Sequence, residues 1–425
     1  MSCWREQKLP ETTPAHRWRH PKYRPGEYID KIMQVTSKYR SRIAAATLAA
    51  FILSEIGVAS VASPSTQNSS EHAAPVNVIL DTDIWSDIDD MLALAMLNAL
   101  HDRHEVNLVA VTISTDNAWC ATYVDLVNTF YGNPQIPVGI VHDGMTVERF
   151  RRQFPPASAW PVTRYTEIIS KRKKSDGSPM YPHRLSDGTK APEAVSLLRK
   201  TLAEQPDGSV VVIQIGYSTN LSRLLDSKAD AASPLQGTEL VRKKVRLLSV
   251  MAGNFRGSQA GGKTYPKGQP EFNLIIDVPA AQRVFSGWPS PIVDSGFEVG
   301  LAMLYPGRTI TQDYAYVENH PIADAYRTYC EEMKARDLNV KTCPQDHDHA
   351  TFDLTSVLYA ARPDRNYFSL SKPGRITVLA DGGSRFDEYK EGTHRYLILK
   401  EEQKARTLEA MVMLASQPPS HGPWP

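Results

Sequence analysis

The ten residues Asp81-Thr82-Asp83-Ile84-Trp85-Ser86-Asp87-Ile88-Asp89-Asp90 carry five carboxylates. Carboxylates this close repel one another, and a hard divalent cation relieves that cost by taking oxygen ligands, about six for magnesium and six to eight for calcium. Capping of a following helix accounts for one or two of the five, because Asp is favoured at N-caps and in first turns. It does not account for Asp81 or Asp83, which directly follow the β-rich run Val76-Asn77-Val78-Ile79-Leu80. The segment is therefore read as a metal-binding loop. It is not an EF-hand, because that spacing and terminal Glu are missing.

A loop of this kind has to be held by a scaffold, and from residue 76 the pattern is strand, loop, helix, repeated. Strands are expected at 76–80, 106–113, 137–141, 209–215, 245–250 and from 291. Helical spacing recurs at 91–100, 123–131, 193–203, 220–225 and 280–285. Ser209-Val210-Val211-Val212-Ile213-Gln214-Ile215 is almost continuously apolar, as expected for a strand buried on both faces. The alternation predicts an α/β fold: a single domain over 76–415 with a mostly parallel central sheet flanked by helices. Such a sheet binds ligands beyond the carboxyl ends of its strands. Residues 144–190 break the pattern and read as a surface excursion, a candidate lid. A hairpin and helix are expected after residue 375, then a Pro-rich disordered tail over 416–425.

The chain has 425 residues, 41% of them hydrophobic, and 48 Lys+Arg against 47 Asp+Glu. That balance excludes the global basic field of a nucleic-acid-binding protein. The basic residues cluster early (Arg17, Arg19, Lys22, Arg24, Lys31, Lys38, Arg40, Arg42), ahead of the apolar run 43–53 and the small-residue exit Val58-Ala59-Ser60-Val61-Ala62-Ser63. These are the parts of a secretory signal. The run is too short for a stable membrane span, which needs about 20 residues. Residues 1–63 are read as an N-terminal extension with a signal peptide (Met33 being an alternative start), 64–75 as a linker, and the protein as exported. Export permits a Cys330–Cys343 disulfide, with two free thiols an equal reading.

Several segments, in order, resemble the nucleoside hydrolase family of the inosine-uridine preferring type, in a divergent branch with the longer DTDxxxDxDD spacing. They are Asp81-Thr82-Asp83 with Asp89-Asp90-Met91, Thr112 to Asn117, and Gly216-Tyr217-Ser218-Thr219-Asn220-Leu221. Met251-Ala252-Gly253-Asn254, Glu271-Phe272-Asn273-Leu274 with Asp277, and Phe352-Asp353-Leu354 follow. The resemblance implies calcium-dependent hydrolysis of the N-glycosidic bond of ribonucleosides or a related ribosyl conjugate, as in nucleobase salvage. It implies one calcium ion held by Asp83, Asp90, Asp353 and the backbone carbonyl of Ile215, with Asp83 also the catalytic base. Asp89 and Asn273 would hold ribose hydroxyls, with Asn117 and Glu271 nearby. Asp87 stands as an alternative to Asp89, and Glu298 as a further residue facing the sugar. The partner would be a small nucleoside-like substrate, and relatives form dimers or tetramers, so a homo-oligomer is open.

Phe352 stands where the family often carries the His that protonates the leaving base, and Tyr265 stands where it usually has an Asn. His183, His347 and His349 are candidates for the missing acid, each read first as a surface histidine. Phe255, Tyr265, Phe297 and Phe352 could stack on a base, with core packing the prior for each. Two rival readings are a haloacid-dehalogenase-type phosphatase, which also begins with strand-D-x-D, and a non-catalytic calcium-binding relative. Ile84-Trp85 after the DxD, and the Gly216 turn, speak against the phosphatase.

Overall fold

The computed structural model describes residues 74–85, 87–154, 163–260, 262–336 and 347–420. The signal-like segment, most of the linker, Cys343 and the last five residues lie outside them. In chain order the first half runs β1 (Val76–Thr82), α1 (Asp89–Asp102), β2 (Val106–Thr115), α2 (Ala118–Phe130), β3 (Val138–Met145), α3 (Val147–Gln153), α4 (Tyr165–Ser170), α5 (Ala194–Glu204), β4 (Val210–Gln214), α6 (Thr219–Asp226), α7 (Gly237–Lys244) and β5 (Val245–Met251). A small hairpin, β6 (Ser258–Ala260) and β7 (Lys263–Tyr265), leads to α8 (Phe272–Ile276), α9 (Val278–Gly287), β8 (Ile292–Ser295) and α10 (Phe297–Leu301). Then come β9 (Leu304–Tyr305), α11 (Arg308–Gln312), α12 (Pro321–Arg336), β10 (His349–Ala350) and α13 (Phe352–Ala361). The chain closes with β11 (Ser369–Leu370), β12 (Gly374–Val378), β13 (Ser384–Glu388), β14 (His394–Ile398) and α14 (Glu401–Ala415).

The main sheet has the order β13-β12-β14-β8-β5-β4-β1-β2-β3, with β11 pairing β14. Pairing is parallel from β3 across to β14, and antiparallel only in the β12–β13 hairpin, at β12–β14 and at β11–β14. The expected α/β domain with a mostly parallel sheet flanked by helices is what the chain forms. β4 (VVVIQ) is buried at every position, so its side chains are covered on both faces. β1 lies between β2 and β4: the chain builds outward to β3 on one side, then crosses back past β1 to β4 and β5. Strand order reverses there, and a crevice opens at the carboxyl ends of the two diverging strands. The acidic loop is at that point.

Residues 144–190 are not a plain surface excursion. Phe150, Tyr165, Ile169 and Tyr181 are buried in the main core, and Trp85 of the acidic loop meets Phe150 edge-on at 5.7 Å. Thr163 donates to the Trp85 carbonyl (2.8 Å) and the Tyr165 hydroxyl to that of Asp87 (3.0 Å). The described parts of the excursion, 144–154 and 163–190, are packed scaffold for the loop. Cys330 is disulfide-bonded and Cys120 is a buried free thiol. No helix among the described residues is long and apolar enough to cross a membrane.

Candidate active site

β1 carries Asp81 and Thr82 to the carboxyl edge of the sheet, and Asp83 follows at once. Asp81 does not face a substrate. Its Oδ1 accepts from Thr112 (2.6 Å) on β2 and from Asn220 (2.8 Å) on α6, tying three elements together. Burial pushes its carboxyl up to about 7 against those two bonds. The backbone around Asp83 is pinned from both sides. Thr115 Oγ1 donates to the Asp83 carbonyl (3.0 Å), and Ser114 Oγ donates to that of Thr82 (3.3 Å) while accepting from the Tyr217 amide (3.1 Å). Gly216 has to be glycine: a Cβ there would stand 2.4 Å from the Asp83 nitrogen.

After the loop, α1 starts with Asp89 and Asp90 in its first turn. α13 starts with Phe352 and Asp353, and packs against α1. Two helix N-termini, whose dipoles favour negative charge, thus bring their acids together. The Asp353 amide donates to Asp89 Oδ2 at 3.0 Å across 264 residues of sequence. Oxygens of Asp89, Asp90 and Asp353 all lie within 4.8 Å of one another, and all three residues are buried. Thr82 Oγ1 donates to Asp90 Oδ1. Among the described residues no Lys or Arg forms an ion pair with any of these acids. Burial pushes Asp89 up to about 7 and Asp90 and Asp353 well above the carboxylate range, and mutual repulsion adds to it. Asp83 is raised by burial too; the Tyr217 phenol beside it pulls the other way, and Asp89 and Asp87 add to the rise. Buried acids with no Lys or Arg paired to them among the described residues form a donor set of hard oxygens suited to a divalent ion.

The structure brings Asp90 and Asp353 together with Asp89, and Asp83 borders the three. The Ile215 carbonyl lies one residue before Gly216 and accepts from Asn273 Nδ2 (3.0 Å), which also donates to the Met251 carbonyl (3.1 Å). Asn273 Oδ1 has no donor among the described residues. Glu271 caps the short α8, accepting from the Asn273 and Leu274 amides, and holds the Gly253 amide (3.2 Å). Asn117 caps α2 through the Trp119 amide (3.2 Å). Glu298 is placed differently from a sugar contact: its oxygens take the Phe255 and Arg256 amides at 3.1–3.2 Å. Asp87 is the most open of the loop acids, its side chain 38% exposed, and it turns to His349, whose Nε2 lies 2.7 Å from Asp87 Oδ1.

His349 is therefore no surface histidine; it is 2% exposed. His183 is half-buried beside the Tyr181 carbonyl, and His347 packs among Tyr326, Tyr329 and His349. Phe297 stacks on Phe352 (5.0 Å) and touches Tyr265 (5.1 Å), while Phe255 stacks on Tyr396 (5.0 Å), so these rings fill core rather than line an open pocket. Sequence reading missed the parts played by Thr82, Tyr217 and Asp294. The last is a fully buried acid beside Glu271 and Glu298, and it holds the Ala252 amide (3.2 Å).

Residues 78–414 match the family model of inosine-uridine preferring nucleoside hydrolases. The chain belongs to this family. Nucleoside hydrolases act on N-glycosyl bonds, and the chain is such a hydrolase. Solved structures of the same fold include the purine-preferring ribonucleoside hydrolase from Gardnerella vaginalis: 16% identity, 80% of this chain and 98% of that one covered, TM-score 0.55. A plant nucleoside hydrolase, PpNRh1, shows 17% identity, 81% and 100% coverage, and a TM-score of 0.54. The type III effector protein XopQ, complexed with adenosine diphosphate ribose, shows 17% identity, 81% and 93% coverage, and a TM-score of 0.55. No curated protein sequence matches the chain.

Proposed function

We propose that this nucleoside hydrolase cleaves ribonucleosides with one calcium ion held among Asp83, Asp89, Asp90, Asp353 and the Ile215 carbonyl. The observation that carries this is the meeting of Asp353 with Asp89, 264 residues away, and with Asp90, in a buried group with no Lys or Arg partner among the described residues. An all-oxygen donor set fits calcium by its chemistry. When bound, the ion neutralises the carboxylates and makes a neighbouring water more acidic. Asp83, at the strand end, takes the proton of the attacking water; a positioned base of this kind contributes about 10²–10⁴ in rate. Asn273, its amide nitrogen engaged by two carbonyls, offers Oδ1 to a ribose hydroxyl. The remaining carboxylates lie where positive charge grows on the sugar ring. Holding the hydroxyls keeps the anomeric carbon against the water. The test is free-base release from a nucleoside panel, with and without chelator. Release that persists after complete calcium removal sinks the metal assignment.

A second substrate reading, a phosphorylated ribosyl conjugate, has an observation of its own. A cleft of about 450 Å³ is lined by Arg149, Arg152, Arg223, Thr219, Asp277 and Met145, among others. Arg149 and Arg223 are fixed by backbone carbonyls of residues 142–144; Arg149 also pairs loosely with the exposed Asp143 (3.9 Å), which lines the same cleft. Met145 pairs in register with Thr115, whose hydroxyl holds the Asp83 carbonyl, which links one wall of the cleft to the backbone of the candidate base. Comparing kcat/KM for a nucleoside and its 5′-phosphate, before and after Arg152→Ala, decides between the two. Export of the mature chain is part of the same proposal, and N-terminal sequencing of secreted material tests it.

A further inference from the structure

We propose that Asp87, Asp89 and His349 form a second metal site, for a first-row transition ion such as Zn²⁺, which shares Asp89 with the calcium site. One donor atom from each residue lies within 4.8 Å of the others, the same criterion that gathers Asp89, Asp90 and Asp353. The two groups meet only at Asp89, so its carboxylate stands between two ions, as in sites where paired metals sit about 3.5–4 Å apart.

The donor chemistry differs between the two halves. Asp89, Asp90 and Asp353 offer only hard oxygens. The new group includes an imidazole, which suits zinc and other first-row ions, whereas calcium selects oxygen. His349 is 2% exposed; its Nδ1 is buried without a hydrogen-bond partner, and its Nε2 is paired with Asp87 Oδ1 at 2.7 Å. A metal ion binds such a pair by displacing its proton, after which Nε2 and Oδ1 separate to take places about 2.0–2.2 Å from the ion. Asp87 keeps 38% of its side chain exposed, which leaves an open position for water or a ligand on the solvent side.

Charge points the same way. Asp83, Asp87, Asp89, Asp90 and Asp353 make five carboxylates around one centre, with no Lys or Arg paired to any of them among the described residues. Fully ionised, the five acids carry five negative charges; one divalent ion and a protonated His349 leave two, and a second divalent ion in place of that proton leaves one. Asp87 lies two residues before Asp89 in the loop, and β10 places His349 four residues before Asp353. The alternative for the same atoms is a bare His–Asp ion pair, which takes up no metal.

This proposal shares Asp89 with the calcium reading but is read out by metal content, so either can fail without the other. The full chain is stripped with chelator, saturated with calcium, and titrated with Zn²⁺, with metal per chain counted by mass spectrometry. Co²⁺ in place of Zn²⁺ reports imidazole ligation through its visible absorption. The expected result is one Zn²⁺ per calcium-loaded chain. His349→Ala and Asp87→Asn each weaken zinc uptake at least about tenfold and keep the thermal shift produced by calcium. Asp353→Asn does the reverse. If His349→Ala fails to fold, Asp87→Asn, nearly the same shape, decides. No zinc bound to the calcium-loaded wild type, or uptake unchanged in both variants, overturns the second site.

Discussion

Replacing Asp353 by Asn should raise stability when calcium is absent and abolish the stabilisation that calcium brings. Asn keeps the shape, and the backbone amide that donates to Asp89 is untouched. What disappears is one charge within 4.8 Å of the oxygens of Asp89 and Asp90. At an effective dielectric constant of about 20, each fully ionised pair at that separation costs about 3.5 kcal/mol. Burial has already raised these acids, Asp89 to about 7, so protonation relieves much of that cost at neutral pH. The net gain without metal is then about 1–3 kcal/mol. It should grow from pH 6 to pH 8: a carboxyl whose folded pKa is raised stabilises the fold at low pH and loses that contribution as pH rises through the raised value. Calcium at a hundredfold excess over its Kd stabilises the wild type by about 2.7 kcal/mol. Over the family-matched residues 78–414, an unfolding entropy of about 2.1 cal/mol/K per residue turns that into a Tm rise of about 4 °C. The assay is thermal unfolding in chelator and in calcium at pH 6, 7 and 8. Asp353→Asn should melt higher than wild type in chelator and show almost no calcium shift. A variant that melts lower in chelator, or that keeps the full calcium shift, refutes the account of Asp353 as a strained ligand.

Asp83→Asn should lower kcat for base release by about 10²–10⁴ with an unchanged circular dichroism spectrum; wild-type turnover in a chromatographic assay removes Asp83 as base. Gly216→Ala would put a methyl group 2.4 Å from the Asp83 nitrogen. It should cost about 1–3 kcal/mol of stability and lower kcat by displacing Asp83, both read on one preparation. Burial raises Glu298 from an ordinary 4.5 to about 7, so its contribution to stability is complete below pH 4.5 and is lost as pH rises through 7. Glu298→Gln should remove on the order of 3 kcal/mol of that pH-dependent loss, flattening urea-unfolding stability between pH 5 and 8; identical slopes for the two proteins contradict it.

Much of the architecture is legible from residue type. Val210–Ile213 can only be a buried strand, and the run Met91–Leu100 only a buried helix. What escapes reading does so for local reasons. α12 mixes Thr, Tyr and Cys with charges and carries no clear apolar stripe, and α7 opens on a glycine. α3 and α4 are too short to show periodicity, so the aromatic anchors Phe150, Tyr165 and Tyr181 look like isolated residues in a polar loop until tertiary packing buries them. His349 sits in the charged stretch Asp346-His347-Asp348-His349, and nothing in its neighbours signals that β10 carries it into the interior. Asp353 is visible as a candidate because of its segment, but its partners are set by the contact of α1 with α13, a long-range event that no window of sequence contains.

The acids show why site roles are harder to read than folds. Glu271, Asp294 and Glu298 have the composition of a catalytic cluster, yet each accepts backbone amides from the turn after β5: Ala252 to Asp294, Gly253 to Glu271, Phe255 and Arg256 to Glu298. A carboxylate that accepts from backbone amides is holding a loop in place. Asp90 and Asp353 have at most one such donor between them and face one another, which is unfavourable without a cation. Two further oxygens, Asp81 Oδ2 and Asp294 Oδ2, are buried without partners. Both carboxyls are raised by burial, so a proton on the unpaired oxygen is the cheapest way to keep each buried. Donor count therefore sorts the acids of this protein: amide-bound acids position backbone, protonated ones fill core, and the donor-poor group at the end of β1 is the one left for a metal ion and a sugar.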